Sequence, residues 1–179
     1  MNELEDLREK INFCKICTLG LISNKAVAGE GSAHSRIIIV GEAPGANEEN
    51  EGRPFVGRGG KLLRNTLNEF KVNDVYITNI VKHRPPKNRR PTQKEIVACS
   101  PYLKFEIDFI KPEVILALGR TAIEYFGIHD KLSQVNGKVF TWNGIKIVAC
   151  YHPAAVLRNP HLLPNFRHAV EQAKKILEI

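Results

Sequence analysis

No apolar run in this chain approaches the ~20 residues needed to cross a bilayer; its hydrophobic stretches are short, as in Ile37-Ile38-Ile39-Val40. A leader-like start is missing too, because Met1-Asn2-Glu3-Leu4-Glu5-Asp6 is acidic where a secretory signal is basic. The expectation is an intracellular protein with no membrane partner. Low-complexity tracts and internal repeats are absent, which excludes disordered and solenoid classes. With four cysteines in 179 residues there is no disulfide framework to expect. No phosphate loop of the GKS or GKT type occurs, so a nucleotide-hydrolysing P-loop enzyme is disfavoured.

Acidic residues are the scarcer sign: 19 against 26 basic, a net charge of +7 and a pI near 9.3. This balance fits a polyanionic partner without requiring one. Lys82, Arg84, Lys87, Arg89 and Arg90 fall within nine residues, broken by Pro85, Pro86 and Pro91. By itself such a run reads as a solvated loop or as a basic rim.

What is present is organised around residues 36 to 60. Arg36-Ile37-Ile38-Ile39-Val40 reads as a strand buried on both faces, ending at Gly41. Beyond it the recurrent Gly and Pro of Gly41-Glu42-Ala43-Pro44-Gly45 and Gly52-Arg53-Pro54-Phe55-Val56-Gly57 predict a long shaped loop without regular structure. A helix from about 60 to 71 follows. Val75–Val81 is rich in β-branched residues and reads as a second strand. Thr92 and Glu95 form a capping box opening a helix that Pro101 is expected to kink or divide. Residues 113 to 119 make a third buried strand, then a helix to about Phe126. Asn143-Gly144 between two apolar runs is a hairpin signal, and its second arm, to Cys150, is the fourth central strand. A short helix is expected around Leu4, Leu7 and Ile11 and an amphipathic one over 164 to 178, with an extended piece near Ala26-Val27-Ala28.

Strands alternating with helices predict one α/β domain over residues 1–179, a three-layer αβα sandwich on a central, mainly parallel four-stranded sheet. In such sheets ligands bind beyond the carboxyl ends of the strands. That edge gathers the Glu42 loop, Asn79, Gly119-Arg120 and His152. Cys14-Lys15-Ile16-Cys17 adds a C-x-x-C pair, whose spacing suits zinc, an iron–sulfur cluster or redox chemistry.

In combination these residues resemble the uracil-DNA glycosylase superfamily, most closely its iron–sulfur, thermophile-type family 4. Gly41-Glu42-Ala43-Pro44-Gly45 with Glu48 and Arg53–Gly57 is similar to the family's first motif. Thr78–Lys82 resembles the second, and His152–Arg158 the last. The resemblance implies hydrolysis of the N-glycosidic bond of deoxyuridine after the base is rotated out of the helix. It implies catalytic roles for Glu42, Glu48 and His152, without deciding which acid holds the attacking water. It implies substrate contacts from Gly41, Gly45, Phe55 and Asn79, with Phe55 stacking on uracil and Asn79 reading its edge. Lys82, Arg84, Arg89 and Arg158 are then expected on DNA, with Val156 or Leu157 entering the minor groove.

The same family usually supplies four cysteines to a [4Fe-4S] cluster. Here Cys14, Cys17 and Cys99 match and His83 stands at the third position, so Cys14, Cys17, His83 and Cys99 are the expected ligands. Zinc in a Cys₃His site is the alternative. A uracil-crosslinking branch shares that histidine but carries an inserted basic loop with a further one, which Arg84–Pro91 lacks. Turnover is therefore expected and not trapping. The expected partner is uracil-containing DNA, single- or double-stranded, met by a cytoplasmic, nucleoid-associated monomer, with a sliding clamp left open as a second partner. Excision of another deaminated base, or uracil binding without cleavage, are the competing readings.

Overall fold

The computed structural model describes residues 2–178. Six strands form one sheet: β1 Glu30–Gly31, β2 Ile37–Gly41, β3 Val75–Asn79, β4 Val114–Leu118, β5 Val139–Trp142 and β6 Ile145–Cys150, in the order β1-β3-β2-β4-β6-β5. The four expected strands are its centre and pair in parallel. The sheet is thus wider than the four strands expected, because an antiparallel strand closes each edge. One is the first arm of the Asn143-Gly144 hairpin, whose two turn residues have φ of 47° and 81°. The other is β1, two residues long, lying after the Ala26–Ala28 piece where extension was expected. Too short to alternate, it exists by pairing with β3.

Successive residues of the central strands face opposite layers, and both layers are apolar. Ile38, Val40, Tyr76, Ile115, Ala117, Ile147 and Ala149 pack with α1 (Glu3–Asn12), α5 (Gln93–Ile110) and α6 (Arg120–Tyr125). Ile37, Ile39, Ile77, Leu116, Leu118 and Val148 pack with α4 (Arg58–Glu69) and α9 (Leu163–Leu177). Burying one such side chain contributes about 1.5–3 kcal/mol, and all five residues of β2 are buried. β2 pairs in parallel on both sides, Ile37–Val40 lying opposite Val75–Thr78 of β3 and Val114–Ala117 of β4.

Short helices account for most departures from expectation. α2 (Thr18–Ile22) follows the C-x-x-C pair, and α7 (Leu132–Val135) precedes the hairpin. The loop after Gly41 contains α3 (Ala46–Glu51), closed by Gly52 at φ 70°. The His152 segment is a helix, α8 (Pro153–Arg158), with Pro at its first position. α5 carries the Thr92 and Glu95 capping box as expected, but runs unbroken through Pro101. The Val97 carbonyl that Pro101 cannot serve accepts instead from Ser100 Oγ at 2.9 Å. Among the described residues no helix is long and apolar enough to span a membrane.

Candidate functional site

The carboxyl ends of β2, β3, β4 and β6 open onto a cavity of about 470 Å³ lined by Glu42, Glu48, Phe55, Asn79, Thr121 and His152 among others. Parallel pairing continues past the strand ends, with the amides of Ile80 and Val81 donating to the carbonyls of Gly41 and Glu42. That extension holds Asn79 and Glu42 at one level.

Asn79 is 2% exposed, and its Oδ1 has no hydrogen-bond partner in the protein. An unsatisfied buried acceptor costs about 1–3 kcal/mol, so its persistence at a cavity wall points to a partner supplied by a ligand. Gly41 lies against it: a Cβ there would collide with Asn79 Oδ1 and stand 2.5 Å from Phe55 Cζ. Gly41→Ala is expected to displace both side chains and to weaken ligand binding at least tenfold, since about 1 Å of misplacement costs up to 10²-fold. Inhibition by the free base that the sequence resemblance implies, measured on folded variant protein, checks this, and unchanged inhibition would refute the packing described.

Phe55 adopts φ 52°, an unusual conformation for a residue with a Cβ. Arg64 holds it there, Nε donating to the Phe55 carbonyl at 3.0 Å and Nη2 to the Pro54 carbonyl at 2.9 Å. Glu30 anchors Arg64 at 2.7 Å and also pairs with Arg53. Gly60 packs under the same peptide, where any Cβ would overlap the Phe55 carbonyl group. The Phe55 ring is 5.7 Å from that of His152, inclined at 32°.

His152 caps α8, its Nδ1 accepting from the Ala154 amide at 3.1 Å. The neutral ring therefore carries its proton on Nε2. Burial, assisted by the Arg158 charge, pushes its pKa down to about 4 from 6.5. Because the folded pKa lies below the unfolded one, the unfolded chain binds the additional proton between these values, and stability falls as pH drops from about 6.5 to about 4. His152→Asn retains a cap acceptor without the titration. Its Tm should decline less over this range than the parent's, and parallel Tm profiles would contradict the assignment.

The two acids differ in surroundings. Glu42 Oε2 accepts from the hydroxyl of buried Thr121, which leaves Oε1 for another partner. Glu48 Oε2 accepts from the Gly57 amide at 2.9 Å and the Val56 amide at 3.4 Å, tying α3 to the Phe55 loop. Thr121 was missed from sequence because a Thr in the first turn of α6 gives no sign of what it faces. Gly45 also lines the cavity, packed against the Glu48 carboxylate.

Two expectations fail. Lys82 is fully buried and paired with Glu106 at 2.8 Å, so it cannot meet DNA. Val156 is 3% exposed and belongs to the core, whereas Leu157 is 38% exposed. Arg84 turns from the cavity toward Glu49 and Asn88, while Arg89, Arg58, Arg120 and Arg158 line its rim. Arg89 is held by Glu95 through two hydrogen bonds.

All four cysteines are free; Cys150 ends β6 and is buried in the layer opposite to that of Cys99. Cys99, on α5, accepts from the Lys82 amide at 3.3 Å, and burial pushes its thiol up to about 11. Cys14 and Cys17 act electrostatically on both Cys99 and Tyr102, so three thiols are neighbours. His83, next to Lys82, is buried, and burial with the nearby Lys15 charge lowers its pKa, which favours the neutral imidazole. Among the described residues, no three His, Cys, Asp or Glu side chains converge tightly enough to hold one metal ion.

A cleft at the carboxyl edge of a parallel sheet, with an aromatic wall, an unpaired amide oxygen and an imidazole donor, has the shape and polarity to take a flat heterocycle. The comparison with known sequences narrows the class: the chain belongs to the uracil DNA glycosylase superfamily, whose profile matches residues 28–175. It is 43% identical over 192 residues to the type-4 uracil-DNA glycosylase of Sulfurisphaera tokodaii, covering 100% of this chain and 86% of that protein. Identity to the type-4 enzyme of Saccharolobus solfataricus is 41% over 189 residues, covering 99% and 88% of the two chains. For that of Thermotoga maritima it is 44% over 161 residues, covering 87% and 84%.

Proposed function

We propose that this protein is a uracil-DNA glycosylase that flips deoxyuridine from DNA and hydrolyses its N-glycosidic bond. The observation carrying this reading is the buried, unpartnered Oδ1 of Asn79 in a cleft walled by Phe55 and His152. Uracil N3–H would donate to that oxygen while the Asn79 amide donates to O4. Cytosine reverses both polarities at that edge and would leave buried groups unpaired, which is the strong form of discrimination. Phe55 stacks on the ring and selects only for flatness.

As the C1′–N1 bond breaks, its electron pair passes to the base and charge grows on O2. His152 Nε2–H donates there, and being neutral above about pH 4 it needs no protonation to act. A donor placed for the developing charge contributes about 10²–10³-fold. Glu42, with one oxygen fixed by Thr121 and the other free, holds the water that adds to C1′ and accepts its proton. Glu48 acts through the loop it ties down. Leu157, on the exposed side of α8, fills the space the flipped nucleotide leaves, and the rim arginines meet the phosphates.

Cys14, Cys17, His83 and Cys99 would hold an iron–sulfur cluster. The resemblance to family 4 favours the cluster, and zinc in a Cys₃His site is the alternative. The cluster would supply no step of the hydrolysis and would fasten the N-terminal segment to α5.

An oligonucleotide carrying one deoxyuridine, incubated with excess enzyme, should release free uracil and acquire an alkali-labile site, while the cytosine control stays intact. DNA binding without uracil release would overturn the enzymatic reading. A denaturation-resistant adduct would overturn turnover, against which stands the buried position of His83, outside the cavity lining.

A further inference from the structure

Lys82 and Glu106 form an ion pair with no exposure on either side chain. Lys82 Nζ donates to Thr78 Oγ1 at 2.6 Å, to the Asn79 backbone carbonyl at 2.8 Å and to Glu106 Oε2 at 2.8 Å. An ammonium has three donors, so none remains. Glu106 in turn accepts from Tyr76 Oη at 3.0 Å and Thr78 Oγ1 at 3.1 Å. The network is closed, with every member buried.

Stability alone gives little reason for it. Moving each charge out of water costs several kcal/mol, and apolar replacements of buried pairs are often neutral or better. What an apolar pair could not do is grip a carbonyl. Asn79 ends β3, where the side chain that lines the cavity leaves the sheet, and Lys82 returns from three residues downstream to seize its backbone. Glu106 fixes that ammonium from α5, about two turns beyond Cys99. The Lys82 amide meanwhile donates to Cys99 Sγ, so both ends of this residue are pinned to the same helix.

We infer that Lys82 is a positioning residue that sets where the Asn79 amide meets the base edge, with Glu106 as its anchor. This rests on the reading of Asn79 as the group that selects uracil. The Lys82 side chain makes no contact with substrate; it acts by holding one peptide still in a pocket where about 1 Å decides affinity.

The test removes both charges together, in Lys82→Met with Glu106→Gln, so that none is left unpaired and Gln can still accept from Tyr76 and Thr78. The expected result is a free-uracil inhibition constant raised about tenfold or more, with affinity for uracil-free duplex DNA unchanged and Tm within a few degrees. A folded double variant that is inhibited like the parent would overturn the inference and reduce the pair to a structural feature. If the double variant does not fold, Lys82→Arg keeps the charge but displaces its donors, and unchanged uracil inhibition there is equally fatal. Asn79→Ala run alongside separates the two claims. Should it leave uracil inhibition intact, the reading of Asn79 falls, and the role of Lys82 with it.

Discussion

Asn79→Leu is expected to lower kcat/KM on deoxyuridine by about 10³-fold or more while raising Tm by a few degrees. The opposite signs come from one atom. Asn79 Oδ1 is buried without a partner in the free protein, and replacing a lone buried acceptor by a hydrocarbon of similar size removes a penalty of about 1–3 kcal/mol. For a domain of this size each kcal/mol moves Tm by about 2–4 °C. On the reading proposed above, that same oxygen takes the N3–H of uracil in the complex, and its loss would leave a buried donor on the base unpaired, the situation that costs roughly 10⁴–10⁵ in sites built to read polar edges. Activity on single-stranded substrate, where unpairing is already done, should fall by a similar factor, because the defect lies in reading and not in flipping. A substitution that lowered activity and Tm together would show Asn79 to be a strand-end residue held by the fold and not a reader of the base.

The strands and the rim were legible because each rests on a local signal: runs of β-branched residues between Gly and Pro, and a rule that sends ligands to the carboxyl edge. Direction of side chains was not. Lys82 and Arg89 look alike in a basic stretch, yet Lys82 closely follows β3 and is drawn inward by Glu106, 24 residues away on another element. Val156 and Leu157 are adjacent and equally apolar; which of them is buried depends on the phase of α8, set by its start at Pro153. Glu42 and Glu48 could not be told apart by spacing, since the distinction lies in Thr121 and in the amides of Val56 and Gly57, partners 79, 8 and 9 residues distant. The edge strand β1 likewise has no pattern of its own to betray it.

The cysteine to alanine change at Cys99 should have the largest effect on the folded state. The segment it fastens is poorly anchored by packing: Phe13, Ile16, Leu21 and Ile22 are all more than half exposed, and only Leu19 and Gly20 of α2 are buried. In the reading proposed above, ligation by Cys14 and Cys17 to a group shared with Cys99 and His83 would add the fastening that these exposed side chains do not supply. Cys99→Ala is thus expected to yield colourless protein, lacking absorbance near ~400 nm, with a Tm lowered by on the order of 10 °C and rapid proteolysis between residues 13 and 25. His83→Cys provides the complementary case. Exchanging a neutral imidazole for a thiolate adds negative charge next to the irons, so the cluster should persist while its reduction potential falls, by on the order of 100 mV. Brown parent protein whose potential is unmoved by His83→Cys would place the fourth ligand elsewhere. Parent protein with one zinc and no visible absorbance would replace the cluster by a single ion, and since Asn79, His152 and Glu42 owe their geometry to the sheet edge, uracil release should continue in either case.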